Sequence, residues 1–233
     1  MHYCGVVPAH GLIQLAMLSE LRTPEPPIRL QAAFFEPGTP AQVAAELTAL
    51  GEVVVAIGAP PDPERAGTRE CDETLRRLGV PPSPPDAGAR DLWQGLAGLQ
   101  RFQGVEGTAE SVVPDGAFRD APVIETNADA VFCALQGRRL PSKRHPLGMQ
   151  LRISELEQDH VVDDGGELWH RRIEEIDAAG AALCAHRYAV GHACFLGEAA
   201  EGVLVLPGSS LPERFSTQGV LPPVERLQLP PEH

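Results

Sequence analysis

The sequence has few of the features that mark a nucleic-acid-binding or membrane protein. Among its 19 basic residues only Lys143 is a lysine, and with 32 acidic residues the formal net charge is −13 at pH 7. A field of that sign repels nucleic acid at long range, so any phosphate contact has to be local. Nucleic acid is therefore a disfavoured partner, while a protein partner or a homo-oligomer stays open.

Long apolar runs are also absent. No stretch approaches the roughly 20 apolar residues that span a bilayer. The N-terminus lacks the basic start and apolar run that are typical of a signal peptide. We expect a cytoplasmic protein with no membrane partner.

Cysteine is scarce and follows no ligand pattern. The five cysteines are scattered and never spaced as Cys-x-x-Cys, so they indicate neither a zinc knuckle nor a disulfide framework. We predict reduced thiols that lie mostly in the core. Cys71 has no histidine near it in the sequence, which favours a structural thiol over a nucleophile.

The length and apolar content predict one domain. A chain of 233 residues that is 43% apolar can bury roughly 70% of its unfolded surface in a single core. We place this domain at residues 1–207. Residues 208–233 are rich in proline and serine, and we expect a C-terminal tail that packs weakly or not at all.

Local patterns predict an α/β fold. Apolar runs at 3–7, 12–18 and 28–35 predict three consecutive strands, and continuous runs at 53–57 and 122–126 predict two strands buried on both faces. A short strand is also predicted at 203–206. Capping residues and amphipathic spacing predict helices at 40–50, 68–78, 90–103, 128–136, 147–158 and 167–188. We expect an antiparallel meander that the two buried strands join in parallel with the first strand, giving a mixed five-stranded sheet with helices on both faces.

Six short segments follow one another at characteristic spacings before Pro207: Val54–Pro60, Arg69–Asp72, Val123–Asn127, Leu140–Lys143, Ile176–Ala178 and Glu201–Val203. Together they resemble the predicted ribonuclease H-like nucleases catalogued as domain of unknown function 429. The resemblance covers roughly residues 3 to 207. It implies a ribonuclease H-like sheet and an acidic cluster at the ends of the central strands, which binds divalent metal for phosphodiester hydrolysis.

Two of the three acidic positions that the resemblance implies are not acidic. Val7 stands where the first strand of the family ends in aspartate, and Gly58 stands at the acidic position of the fourth strand. Asp177 alone keeps the acid. Because two-metal hydrolysis needs carboxylates that bridge the cations, we do not expect the ordinary mechanism. Mg²⁺ or Mn²⁺ would be a cofactor only at a rebuilt site.

The candidates for what remains of a catalytic site are three acidic residues, Asp177, Glu125 and Glu174. His170, Glu174 and Asp177 are spaced to share one face of the last predicted helix, either as metal ligands or as a solvated face. Glu125 ends a buried strand, where an unpaired charge is costly, so it belongs either to the site or to a salt bridge. We expect Glu125 and Asp177 within about 10 Å of each other, near Val7 and Gly58, where they would repel unless a cation lay between them.

The candidate anion-binding residues are Lys143, Arg144 and Arg69. The first two belong to the basic run Arg138–His145, which either binds an anion or is a solvated loop. We expect Lys143 or Arg144 to fold over the cleft and neutralise the carboxylates. Arg69 and Asp72 are spaced for an ordinary i, i+3 pair. Trp93 and Trp169 are predicted to lie on the buried faces of helices.

Two hypotheses for function follow. The favoured one is a catalytically impaired ribonuclease H-like protein that retains a cleft for an anion or a partner. The alternative is a metal-dependent nuclease, a hydrolase whose site has been rebuilt from Glu125, Glu174, Asp177 and a loop residue such as Asp62 or His10.

Overall fold

A computed structural model describes residues 1–21, 28–108, 110–163 and 165–217. Its nine strands are β1 His2–Ala9, β2 Leu12–Leu21, β3 Arg29–Phe34, β4 Val53–Ile57, β5 Glu110–Val112, β6 Val123–Glu125, β7 Val161–Asp163, β8 Ala193–Leu196 and β9 Leu204–Pro207. Its six α-helices are α1 Pro40–Ala49, α2 Glu70–Leu78, α3 Ala87–Gly95, α4 Ala128–Gln136, α5 Pro146–Gln158 and α6 Ile173–Ala189.

The main sheet has the predicted connectivity. Its strand order is β6-β4-β1-β2-β3-β7. Strands β1, β2 and β3 form an antiparallel meander, and β4 and β6 are added in parallel beyond β1. The sheet has six strands, so the prediction of five was wrong. The additional strand, β7, is only three residues long and pairs in parallel with β3, and so short a segment shows no period in the sequence.

A second, three-stranded sheet was not predicted as a sheet. Its order is β5-β8-β9, with antiparallel pairing throughout. The short strand expected at 203–206 is present as β9, one residue further along the chain. All four residues of β8 are buried, and such a short apolar segment cannot be distinguished by its pattern from the end of the preceding helix.

Helices cover both faces of the main sheet, as predicted. On one face α6 lies directly against β1, because Gly5 has no side chain. A Cβ atom at position 5 would overlap the backbone of Ala178 and Ala182. On the other face α1 and α3 contribute Val43, Leu47 and Leu92 to a second apolar cluster.

Two helices are shorter than predicted. The chain leaves α3 at Gly95 because residues further along pair with β6 instead: the N–H of Phe102 donates to the carbonyl of Val123 at 2.8 Å. The last helix begins at Ile173, after Arg172, whose backbone is extended at the N-cap. Residues Leu168–His170 form a separate 3-10 turn.

The start of the C-terminal segment packs against the domain. Phe215 is 2% exposed, and its N–H donates to the carbonyl of Leu78 at 3.2 Å. Phe215 is the one buried residue among residues 208–217, and the expectation of weak packing stays a prediction for the tail. Residues 218–233 of the predicted tail lie outside the described residues, and the domain boundary at 207 stays a prediction.

The predicted core residues agree with the structure except at one tryptophan. All five cysteines are buried and none forms a disulfide. Trp93 is partly buried against the core, and its indole N–H donates to the carbonyl of Ala59 at 3.1 Å. Trp169 was expected in the core but is 45% exposed, because it belongs to the 3-10 turn and not to α6. Within the described ranges, no helix is both long and apolar enough to cross a bilayer.

Candidate functional site

The carboxyl ends of β1 and β4 open onto a cleft of about 590 Å³. Val7 and Gly58 lie there, and the first turns of α4 and α6 face them across the opening. The wall formed by Pro81, Pro82 and Pro84 is tied to α4 by Asn127, whose amide donates to Ser83 Oγ at 3.0 Å. Asn127 also caps α4, since its side-chain oxygen accepts the N–H of Ala130. This residue was part of a recognised motif in the sequence, but its bracing of the proline wall was not foreseen.

Asp177 and Lys143 form an ion pair inside the cleft. Lys143 Nζ donates to Asp177 Oδ2 at 2.5 Å, with the aspartate side chain 5% exposed and the lysine side chain 40% exposed. Burial raises the pKa of Asp177 to about 6, although the nearby ammonium opposes the rise. Burial lowers the pKa of Lys143, but the charge of Asp177 and its hydrogen bond outweigh this and raise the pKa overall. Both groups are therefore charged at pH 7, and the expected pairing of Lys143 with this carboxylate is present.

The two non-acidic positions are packed against each other. A Cβ atom at position 58 would lie 2.8 Å from Val7 Cγ1, closer than real Cβ contacts come. An acidic side chain at position 58 would therefore require the Val7 side chain to shift, to change rotamer or to be replaced. Neither Val7 nor Gly58 has a side chain that can ligate a metal.

The three positions at which the resemblance implies acids do not carry the donor set of a two-metal centre. Such a centre needs carboxylates that reach both cations, and Asp177 is the one acid of the three implied positions. No cluster of three or more histidine, cysteine, aspartate or glutamate residues suited to a metal ion occurs in the part of the chain that the structure describes.

Glu125 belongs to a separate buried network. Its carboxylate accepts hydrogen bonds from Arg69 at 2.6 and 2.8 Å and from Arg101 at 2.9 Å. Arg69 also donates twice to Asp72, which confirms the predicted i, i+3 pair. We expected one cation to neutralise both Glu125 and Asp177. Instead, Glu125 has arginine partners and Asp177 has Lys143. Glu125 is not among the described residues that line the Asp177 cleft.

Two of the three proposed anion-binding residues are already engaged. The Arg69 side chain is 3% exposed and its donors are directed at Asp72 and Glu125, so it does not face the cleft. Lys143 is paired with Asp177. Arg144 is exposed at the rim, where it lines both the cleft and an adjoining pocket of about 270 Å³.

Glu174 lines the cleft beside Asp177, but the predicted helical stripe is incomplete. His170 lies in the 3-10 turn and is not among the described lining residues, because α6 begins only at Ile173. A different histidine, His10, comes within 3.8 Å of Glu174 through its Nε2 atom. His10 lies at the tip of the β1–β2 hairpin, with a positive φ of 52°. Asp62 lies in another pocket with Arg65 and Arg69.

The lining of the cleft is acidic overall. Its charged residues are Asp86, Asp129, Glu174 and Asp177 against Lys143 and Arg144. Asp129 is paired with buried Arg152 at 2.6 Å, and Asp86 caps α3 by accepting the N–H of Ala89 at 2.9 Å. Asp129 and Asp177 are therefore each paired with a basic side chain, whereas Asp86 and Glu174 have no arginine or lysine partner among the described residues.

No family model matches the chain, and no curated protein is significantly similar to it. A solved structure described as that of Thermus thermophilus RuvC is similar over 81% of this chain and 94% of that chain, with 13% sequence identity and a TM-score of 0.41. A TM-score this low does not by itself establish a shared fold.

Proposed function

We propose that this chain is a ribonuclease H-like protein that does not hydrolyse phosphodiesters, and that its cleft serves to bind a ligand or partner. The observation that carries the proposal is the ion pair between Lys143 and Asp177. Asp177 is the one acid retained among the three metal-binding positions that the sequence resemblance implies. In this proposal the lysine ammonium replaces the metal as the cation beside it.

The arrangement of the main sheet supports the ribonuclease H-like assignment. An antiparallel meander of β1 to β3 is extended by two parallel strands beyond β1, in the order that the sequence predicted. The finer assignment, to the nucleases catalogued as domain of unknown function 429, rests on the six sequence segments alone.

The chemistry of an ammonium explains why hydrolysis would be lost. A lysine neutralises one carboxylate, but it neither activates a water molecule as a Lewis acid nor bridges two oxygens of a phosphodiester in the way that paired cations do. The apolar contact of Val7 with Gly58 removes the two positions from which further carboxylates would come. We therefore expect a scaffold in which the cleft persists without the hydrolytic centre.

The test is a cleavage assay on single-stranded, double-stranded and hybrid nucleic acids with millimolar Mg²⁺ or Mn²⁺. We expect no cleavage above that of an Asp177→Asn variant purified in parallel, which measures contaminating nuclease. Cleavage by the wild-type protein that disappears in the variant would contradict the proposal.

One observation favours the alternative, a hydrolase with a rebuilt site. His10 and Glu174 approach each other at the rim of the cleft that contains Asp177. With Asp177 they would supply three ligands, but the three side chains do not form a metal-binding cluster in the structure, so Lys143 would have to withdraw and the side chains would have to move together. Electron paramagnetic resonance of added Mn²⁺ distinguishes the two: ordered, stoichiometric Mn²⁺ in the wild-type protein favours the rebuilt site, whereas free aqueous Mn²⁺ at millimolar concentration favours the metal-free cleft.

A further inference from the structure

One oxygen of the Asp177 carboxylate has no hydrogen-bond donor. Oδ2 receives Lys143, but Oδ1 is buried and has no partner among the described residues. A buried acceptor left in this state is unfavourable, and native structures rarely retain one without a reason. Lys143 therefore satisfies the hydrogen-bonding capacity of only one of the two carboxylate oxygens of Asp177.

The charges around Asp177 favour a cationic ligand over an anion. Glu174 is partly exposed beside it, and carboxylates outnumber basic side chains along the cleft. The chain as a whole has a formal net charge of −13, which attracts basic partners during diffusional encounter. The proline wall adds an apolar surface of the kind on which the methylene stem of a long basic side chain packs.

A guanidinium matches the carboxylate better than an ammonium does. Its planar fork presents two parallel N–H donors to the two oxygens of one carboxylate, whereas lysine acts as a point charge on one oxygen. Lys143 lies on the loop between α4 and α5, and its side chain is 40% exposed. It can therefore withdraw into water without rearrangement of the core.

We propose that the cleft binds a guanidinium group, as carried by an arginine side chain of a partner protein, and that this group displaces Lys143 and pairs with both oxygens of Asp177. The inference rests on the proposed function, because it requires a cleft in which no metal holds the carboxylate. In the unbound protein, Lys143 then neutralises the Asp177 carboxylate in place of the ligand.

Isothermal titration calorimetry tests the proposal with three probes: the capped peptide Gly-Arg-Gly, the same peptide with citrulline in place of arginine, and agmatine. Citrulline keeps the shape of the arginine side chain but has no charge. We expect saturable binding of the arginine peptide and affinity at least about tenfold weaker for the citrulline peptide. Agmatine weaker than the peptide points to a protein partner, and agmatine of equal affinity points to a free small guanidine; both agree with a guanidinium site.

Variants at position 143 should change the affinity in opposite directions. Lys143→Ala removes the competing side chain and should tighten binding of the arginine peptide by at least about tenfold. Lys143→Arg supplies an internal guanidinium and should weaken binding by a similar factor. Arg119→Ala removes the same charge from an exposed position outside the cleft, so it should change the affinity by less than about threefold.

The proposal is overturned if Lys143→Ala, folded by circular dichroism, still binds no arginine peptide, or if the citrulline peptide binds as well as the arginine peptide. It is also overturned if Lys143→Ala and Arg119→Ala change the affinity equally. The titrations are performed in EDTA and so do not depend on metal. An inactive nuclease that fails to bind guanidinium refutes this inference alone, whereas metal-dependent cleavage by the wild-type protein refutes the proposed function.

Discussion

The side chain of Val7 occupies the space that any side chain at position 58 would need, since a Cβ atom there would lie 2.8 Å from Val7 Cγ1. Val7 lies near the end of β1 and Gly58 directly follows β4, at the point where the resemblance implies two acids. An acid therefore cannot return at position 58 by a single substitution unless Val7 shifts.

This steric conflict predicts a non-additive double-mutant cycle. Gly58→Ala should destabilise the fold by about 1–3 kcal/mol, because the added methyl group overpacks against stiff, branched Val7. Val7→Ala alone should be destabilising through loss of buried methyl groups. The free energy of unfolding of the double variant, measured in urea, should exceed the value expected from adding the two single effects. We expect the difference to be at least about 0.5 kcal/mol. Strict additivity would show that the two side chains do not compete for space.

Removal of Lys143 should destabilise the protein. Lys143→Ala leaves the charge of buried Asp177 uncompensated, with an expected cost of roughly 1–3 kcal/mol. Because the lysine is 40% exposed, water screens part of the interaction and we expect the lower half of that range.

The matched control is Arg144→Ala, which removes a neighbouring exposed cation. Asp177 is paired with Lys143, so loss of Arg144 should change stability by no more than about 0.5 kcal/mol. Urea midpoints compare the variants, provided that the m-values agree. Equal midpoints for the wild-type protein and Lys143→Ala would mean that the ion pair contributes nothing to the folded state.

Replacement of Glu125 should destabilise the protein more than replacement of Lys143. Glu125→Gln removes the charge that holds both Arg69 and Arg101, and Arg69 is almost fully buried. Breaking a buried pair from one side typically costs about 3–5 kcal/mol. Glu64→Gln is a suitable control because Glu64 pairs with Arg90 on the surface, with its side chain 83% exposed, and such pairs contribute about 0–1 kcal/mol. Thermal or denaturant unfolding that ranks the two variants equally would contradict a structural role for the Glu125 network.

The sheet could be predicted from the sequence because its central strands are continuous apolar runs. Residues 53–57 are buried throughout, and their β-branched composition between Gly51 and Gly58 favours a strand covered on both faces over a helix. Strand β7 could not be predicted, because three residues paired to β3 depend on a neighbour distant in the sequence.

A residue of the candidate site could be predicted only where its own sequence segment identified it. The lone lysine in a basic run pointed to Lys143, and the resemblance pointed to Asp177. The partners of Glu125 were not predictable, because Arg101 lay inside a segment predicted to be helical, and its pairing exists only once residues near Phe102 join β6.

The titration of Asp177 gives a prediction whose sign can be derived. Burial raises its pKa in the folded state from 3.8 to about 6. Between about pH 4 and pH 6, the Asp177 carboxyl is therefore protonated to a greater extent in the folded protein than in the unfolded chain. Protonation stabilises the fold in this range, and this stabilisation is lost as the pH rises through about 6. Relative to Asp177→Asn, which cannot titrate, the wild-type protein should lose about 1–3 kcal/mol of stability between pH 4 and pH 7. A difference that is flat across this range, or that rises with pH, would contradict the raised pKa.

The same group can be followed directly by carboxyl ¹³C NMR. In the wild-type protein the Asp177 resonance should titrate with a midpoint near 6. In Lys143→Ala the midpoint should move higher, because loss of the adjacent ammonium makes the charged carboxylate less favourable in its buried position. Arg144→Ala should leave the midpoint almost unchanged, since that side chain lies exposed at the rim and is screened by water. If Lys143→Ala instead lowered the midpoint, the lysine would not be the cation that stabilises Asp177, and both the metal-replacement role and the guanidinium site would lose their basis.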